Sequence, residues 1–584
     1  LHSSPSIKRV LDILYLLGGI AILALFTTRY QMPFRLDDVL LMLWAKSHTV
    51  WDAFDPIKGQ LVNSFRPMFA VTAYLLTHFA GWDHTFWWHL TLDLSLLVAI
   101  AFTGLTARYL IRRWFALEIS ILLYWIVFLP ILNIFFWYSD LTFALELCFT
   151  SISWYFALRG LYEARLGFWF LGMLAGCLAV LSKEPAFVLV HVVIAGSFLL
   201  ERHSILEKWK AIGRPNTIVA LLAYAVMLGL TLWLGAVSPT RANRFFALSM
   251  PDLGHFIRDR IEYYGSIYLS LLARTLLFTP IVFAGLQVVW RIREAAVSAF
   301  TFLMQTFLAL VLALLLFQNI LVALPITVFV FIVLATLENP ERARVRRLLP
   351  FLACLFIAMA ALLITIQLVK TQLTESALLT CLLSSWAWSI WIERAGQAVR
   401  PYRSLTAFRW GIGVTLLVII IAVVIGFYPK SVREERLLGE VRDVRQNAND
   451  AVTWVAGNLP AGSLLAVMNY QLHGIDGPGA LTSQDDETKL RAQYTFDGGF
   501  FYDALAVCGR TDFRKTYLTD STMIERVLDG MRNEPNSYLL LQSELDLRLF
   551  HGAGDKSTLA GKNDTLVVRF ARGPYPTEIW HLRQ

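Results

Sequence analysis

Thirteen long apolar stretches decide what this chain can be. They cover 10–26, 86–107, 114–136, 139–158, 166–182, 184–200, 216–236, 268–289, 297–317, 320–337, 348–370, 376–394 and 408–427. Each is near the roughly 20 residues that cross a bilayer core of about 30 Å. In hydrocarbon the backbone must satisfy its own polar groups, so runs of this length predict helices. The expected fold class is a polytopic α-helical membrane protein with about 13 transmembrane helices. Composition agrees: 57% of the chain is apolar and 16% charged, against about a quarter charged in ordinary soluble domains. A soluble enzyme, a disordered chain and a disulfide-built secreted domain are excluded. The run 10–26 follows Lys8 and Arg9, as a signal peptide would. Thr27-Thr28-Arg29-Tyr30 follows it instead of a small-x-small cleavage site, so it reads as an uncleaved first span.

The stretch 66–80 opens with Arg66-Pro67 and is short, which fits an interfacial or re-entrant helix. With it left outside the membrane, the loops carrying Arg108/Arg112/Arg113, Arg159/Arg165, Arg202/Lys208/Lys210/Arg214, Arg291/Arg293, Arg342/Arg344/Arg346/Arg347 and Arg394/Arg400/Arg403 all share the side of Lys8 and Arg9. That side is cytoplasmic by the positive-inside rule. Loops 27–85 and 237–267 then face outward, as does everything after 429. Residues 430–584 hold 18 basic and 21 acidic side chains, so the basic surplus belongs to residues 1–429. It reflects topology and lipid headgroups, and no nucleic-acid partner is expected. Residues 1–429 therefore read as a membrane module and 430–584 as an extracytoplasmic α/β domain. In the latter, 433–459 carries a helical stripe (Leu437, Leu438, Val441, Val444, Val452) weakened by Gly439. The segments 463–470, 537–544 and 564–571 read as strands, and 521–532 as a helix. Four of the five cysteines lie in apolar runs as small hydrophobes; Cys508 stands alone after 429, where no internal disulfide is expected.

The first outer loop holds the most informative chemistry. Asp37 and Asp38 stand just before the apolar run VLLMLWAK, which would lie along the membrane surface. Adjacent acids can simply cap a helix starting at Val39. They can also set a carboxylate at the interface to take a proton from an incoming hydroxyl. On a helix the two side chains diverge by about 100°, so one can face substrate while the other holds a ligand or metal. Within the spans, Asp93 and Glu146 are ionisable groups in an expensive place. His89 lies four residues before Asp93 on one helix face, where a structural hydrogen bond is the simplest role. Asp140 at a span edge lines the acceptor side, binds a metal or caps a helix. Lys183 sits beside Glu184 between two spans, as a structural pair or a phosphate ligand. Arg241, Arg244, Arg258 and Arg260 face lipid headgroups or a bound phosphate. Trp82, Trp87, Trp88 and Trp137 read as interfacial anchors.

Three of these features together resemble the polytopic glycosyltransferases that use polyprenyl-phosphate sugars, the GT-C superfamily, which includes protein O-mannosyltransferases and aminoarabinose transferases. They are the acid pair Asp37-Asp38 in the first outer loop, Arg66-Pro67 opening a short helix ahead of the second span, and the LSKEP segment with Lys183 between two later spans. The resemblance is strongest in the first 200 residues and rests on layout beyond them. It implies that Asp37 is the base, that Asp38 assists, and that Arg66 and Lys183, with the four loop arginines, hold the donor phosphate. The implied donor is a polyprenyl-phosphate-linked sugar, and the acceptor is a lipid, glycan or protein. Its leaving group is already a stable phosphate, so no second carboxylic acid is needed, unlike soluble glycosidases. The resemblance names no definite cofactor; a divalent ion (Mg or Mn) on Asp38 or Asp140 is an option without a dedicated cage. The late hairpin LFQNILVALPITVF lacks the arginine many relatives place there and offers only Gln318 and Asn319. The implied location is the inner membrane of a bacterium, N-terminus cytoplasmic and C-terminal domain periplasmic, with protein partners reaching that domain. Two other readings remain: a lipid-linked glycan transporter, for which the later spans offer little polar lining, and a non-catalytic scaffold or accessory subunit.

Overall fold

The computed structural model describes residues 34, 36–61, 64–81, 84–111, 141–183, 185–237, 283, 303–309, 385, 387–388, 391–392, 394, 442–468, 498–518, 524–541, 563–573 and 576–583. The chain is largely helical, with helices long and apolar enough to cross a membrane, and ends in a region built on a β-sheet. Most of the runs 10–26, 114–136, 268–289, 297–317, 320–337, 348–370, 376–394 and 408–427 lie outside the described residues.

The first outer loop is ordered into α1 (Leu36–Ser47), a 3-10 turn (Val50–Phe54), the small hairpin β1 (Gln60–Leu61) and β2 (Ser64–Phe65), and α2 (Pro67–Ala80). Pro67 occupies the first helical turn of α2, where its missing N–H and fixed φ are no handicap. Then come α3 (Thr85–Ile111), α4 (Leu141–Glu163), α5 (Leu166–Ser182), α6 (Pro185–Leu200), α7 (Arg202–Ala211) and α8 (Arg214–Val237). Among these, α3, α4 and α8 meet the length and hydropathy of a full span.

Small residues explain how tightly α4 and α5 pair. A Cβ on Gly172 would meet Ala157 N at 2.4 Å, and one on Gly160 would meet Trp169 N at 2.5 Å. Such close backbones replace the hydrophobic driving force that is missing between helices in lipid. Ser153 donates to Gly172 O (2.8 Å) along the same seam. The hairpin turns at Ala164, whose φ of 54° is left-handed, while Arg165 N–H returns to Gly160 O. Indole N–H groups lock neighbouring backbones: Trp154 to Leu189 O and Trp169 to Ala220 O. Between α6 and α8, His191 bridges Tyr224 and Thr231. The Thr231 hydroxyl proton goes to Met227 O, so Thr231 accepts from Nε2–H and Nδ1 accepts from the Tyr224 hydroxyl.

Helix directions follow from these contacts. Phe102 packs on Tyr155 and Phe156, and the Arg159 guanidinium lies over Tyr109, so α3 and α4 run side by side in one direction. Stepping back four turns, about 21 Å, from Phe102 and Phe156 reaches Trp88 and Thr142 at one level. Trp169 meets Ala220, and Gly176 faces Met227, so α5 and α8 are also parallel; the same spacing brings Lys183 level with Trp233. Thr142 donates to Ser182 O (2.9 Å), joining the two pairs. Trp88, Thr142, Lys183 and Trp233 therefore mark one end of the bundle, the loop end. Arg108, Arg159, Arg165, Lys208, Lys210 and Arg214 mark the other, the basic end, where α7 turns 86° away from α6.

After 441, residues 442–458 form a helix burying Val444, Ala448, Ala451, Val452 and Val455; of the expected stripe Val444 and Val452 are buried, while Leu437, Leu438 and Val441 lie outside the described residues. Gly439 lies outside the described residues. The strands β3 (Leu464–Met468), β4 (Arg514–Leu518), β5 (Ser537–Leu541), β6 (Thr565–Phe570) and β7 (Thr577–His581) make one sheet ordered β4-β3-β5-β7-β6. β3 is parallel to β4 and β5, and β7 antiparallel to β5 and β6. The helices α9 (Gly498–Val507) and α10 (Ile524–Arg532) make the crossovers a parallel pairing requires. All of β5 is buried, as a central strand should be. Arg532 pairs with the fully buried Asp564 at 2.8 Å, tying α10 to the start of β6. Three of the strands and α10 match expected segments; α9, β4 and β7 were not legible beforehand.

Candidate functional site at the loop end

Two aromatic contacts lay the first outer loop across the loop end. Phe34 is fully buried against Trp88 (centroids 5.9 Å apart, edge-on), and Phe65 meets Trp233 in the same geometry at 5.7 Å. Arg66 follows Phe65 directly and is half-buried, so it stands at the level of Lys183. α2 then packs on α3, α4 and α5.

α1 begins at Leu36, not at Val39, which corrects the capping interpretation of the acid pair. Asp37 and Asp38 lie inside the first helical turn, where a negative charge still suits the helix dipole. Asp38 is completely buried. α1 also does not spread its apolar side on lipid: Val39, Leu41, Met42, Trp44 and Ala45 are buried where it packs against α2 and α9. Trp44 donates to Lys58 O (2.6 Å) and stacks on His48, pinning α1 to the following turn. That turn is held by Asp52, which accepts the Thr49 N–H (2.7 Å), the Thr49 hydroxyl (2.8 Å) and the Lys58 ammonium (3.1 Å). These bonds, the Thr49 backbone one foremost, draw its pKa down to about 2.

Lys183 follows α5, its N–H continuing the ladder to Ala179 O. Its side chain is only 3% exposed, and Nζ lies over the Phe143 ring. Phe143 is next to Thr142, whose hydroxyl fastens Ser182, the residue before Lys183. Glu146, one turn further along that face of α4, is fully buried. On α3, His89 is 3% exposed and Asp93 half-buried, one turn apart as the spacing required.

The bundle thus brings Asp38, Arg66, Lys183, His89 and Glu146 to one end. Trp88 is overturned as an interfacial anchor, because the returning Phe34 segment covers it; Trp87 remains exposed. The side chains of Asp37 and Glu184, and residues Trp82, Trp137, Asp140, Arg241, Arg244, Arg258, Arg260, Gln318 and Asn319, lie outside the described residues. Among the described residues no three His, Cys, Asp or Glu side chains gather to hold a metal. Sequence reasoning missed Thr142, whose hydroxyl bond reaches Ser182 of the LSKEP segment, 40 residues away.

No family model matches the chain, and no curated protein matches it. Two solved structures are similar to it along almost their whole length. The crystal structure of ArnT from Cupriavidus metallidurans bound to undecaprenyl phosphate covers 99% of this chain and 98% of its own, at 14% identity and a TM-score of 0.43. The apo form of that protein covers 97% of both, at 13% identity and a TM-score of 0.34. What sequence and structure define together is a largely helical membrane-spanning protein with a sheet-bearing C-terminal region.

Proposed function

We propose that the protein transfers a sugar, with inversion, from a polyprenyl-phosphate donor to an acceptor at the outer face of the membrane. The basic end lies in the cytoplasm on this reading, and the loop end and the region 430–584 lie outside. An acceptor hydroxyl oxygen attacks the anomeric carbon while the bond from that carbon to the phosphate oxygen breaks. Asp37 takes the hydroxyl proton and Asp38 assists it. The phosphate leaves with its lipid, its charge held by Lys183 and Arg66, with Arg241, Arg244, Arg258 and Arg260 as further ligands. Arg forks onto phosphate oxygens, whereas Lys acts as a point charge. Where a divalent ion takes part, Asp38 or Asp140 holds it.

One observation carries this reading: a fully buried carboxylate, Asp38, and a nearly buried ammonium, Lys183, occur at the same end of the bundle. Taking such ions out of water costs several kcal/mol each, which a lipid-facing structural helix end does not need. The test is release of polyprenyl phosphate from a polyprenyl-phosphate sugar by the purified full-length protein. Asp37→Asn should lower turnover by about 10²–10⁴-fold, the usual contribution of a general base. Turnover unchanged in both Asp37→Asn and Asp38→Asn rejects the acid pair as the base.

A further inference from the structure

The helix that carries the acid pair is held from the far side of the chain. Lys46, in the last turn of α1, donates from its ammonium to the carbonyl of Val507, the last residue of α9. The final carbonyls of a helix have no partner within it and form the negative end of its dipole, so a lysine is well suited to them. The end of α9 uses the carbonyls of Ala504, Leu505 and Ala506 for its own closing bonds, which leaves that of Val507 for Lys46.

This contact sits on an apolar seam. Val39, Leu41, Met42 and Ala45 of α1 and Phe500, Phe501, Ala504 and Val507 of α9 are all buried and belong to one continuous cluster. That cluster also contains Trp88 and Leu141 of the loop end. α9 is in turn rigid against the sheet: the Tyr502 hydroxyl donates to Leu465 O of β3, and Thr516 N–H of β4 donates to that hydroxyl at 3.1 Å. A path of fixed contacts therefore runs from the C-terminal sheet through α9 and Lys46 to the first turn of α1.

We infer that the C-terminal sheet region is a positioning element of the sugar-transfer site, with Lys46 as its anchor on α1. The inference rests on the reading of Asp37 and Asp38 given above. Lys46 lies eight residues from Asp38, about 12 Å along the helix axis. It acts through the orientation of α1. Phe34, two residues before the helix, is set against Trp88, so the Lys46 contact at the far end settles the rotation of α1 and with it the direction of Asp38.

The test uses full-length protein in lipid nanodiscs, as wild type, Lys46→Met and Lys46→Arg. Hydrogen exchange over 36–47 should quicken at least tenfold in Lys46→Met, with α4 and α5 unchanged, and return near wild type in Lys46→Arg. In polyprenyl-phosphate release, Lys46→Met should lower kcat about tenfold with the donor KM within twofold, and Lys46→Arg should restore kcat. Unchanged exchange overturns the anchoring. Faster exchange with unchanged kcat overturns the positioning role and leaves a purely structural contact. A wild type that releases no polyprenyl phosphate rejects the sugar-transfer reading, and the positioning role of Lys46 with it, while the exchange arm still reports the anchoring alone.

Discussion

The two ends of the bundle use the same side-chain types in opposite ways. At the basic end, Lys208 donates to Tyr162 O (2.8 Å) and Trp209 to Leu161 O (3.0 Å), closing the last turn of α4. Glu163 is paired with Arg159 and Arg165 there, and the Arg165 side chain is 64% exposed. Among the described residues there, Arg165 and Lys208 are exposed, while Arg159 and Glu163 are partly buried as a pair. At the loop end Lys183 also stands at a helix terminus, yet it is buried over Phe143, with Asp38, Glu146 and His89 buried around the same end. A helix end can be completed with exposed cations at little expense, as α4 demonstrates. At the loop end the charged side chains are instead enclosed by the protein.

The sharpest way to break this contrast is to remove one lysine from each end. Lys183→Met should lower polyprenyl-phosphate release by about 10²-fold, the scale of losing one donor to a developing anion. Lys208→Met should change it less than twofold. Equal effects would dissolve the distinction between the ends. The seam that keeps the ends apart comes next. Gly172→Val should destabilise the protein by about 1–3 kcal/mol, because a side chain there strikes the Ala157 backbone. Gly167→Ala on the same helix, with nothing within 4 Å of the added carbon, should be near neutral in thermal unfolding in detergent. The smallest effect concerns the turn that supports α1. The Asp52 carboxyl is depressed from 3.8 to about 2, so the order it gives the turn is complete above pH 3.8 and is lost as pH falls through 2. Hydrogen exchange over 49–58, corrected for intrinsic rate, should show that step in wild type and lack it in Asp52→Asn.

Among the described residues, the long apolar helices were legible because lipid imposes a one-dimensional rule. The run 166–182 coincides with α5, and the short stretch 66–80 with α2 less its opening arginine. The acid pair was expected to precede α1 as a cap, whereas α1 starts before it. A cap and a first turn look alike in sequence; the winding of the preceding residues decides between them. α9 was missed because its ten residues bury Phe500, Phe501, Tyr502, Ala504, Leu505 and Val507, a nearly unbroken apolar run with no helical period to read.

Chain chemistry alone thus determined which long apolar segments, among the described residues, are helical and where positive charge gathers, and it named candidate acids and cations. Tertiary structure decided which of those residues are hidden together. Burial of Asp38, Lys183 and Trp88 depends on segments returning from elsewhere: Phe34 over Trp88, Phe143 beneath Lys183, and α9 against α1. Such pairings are set by the closing of long loops and by packing in three dimensions, to which a local pattern along the chain carries no key.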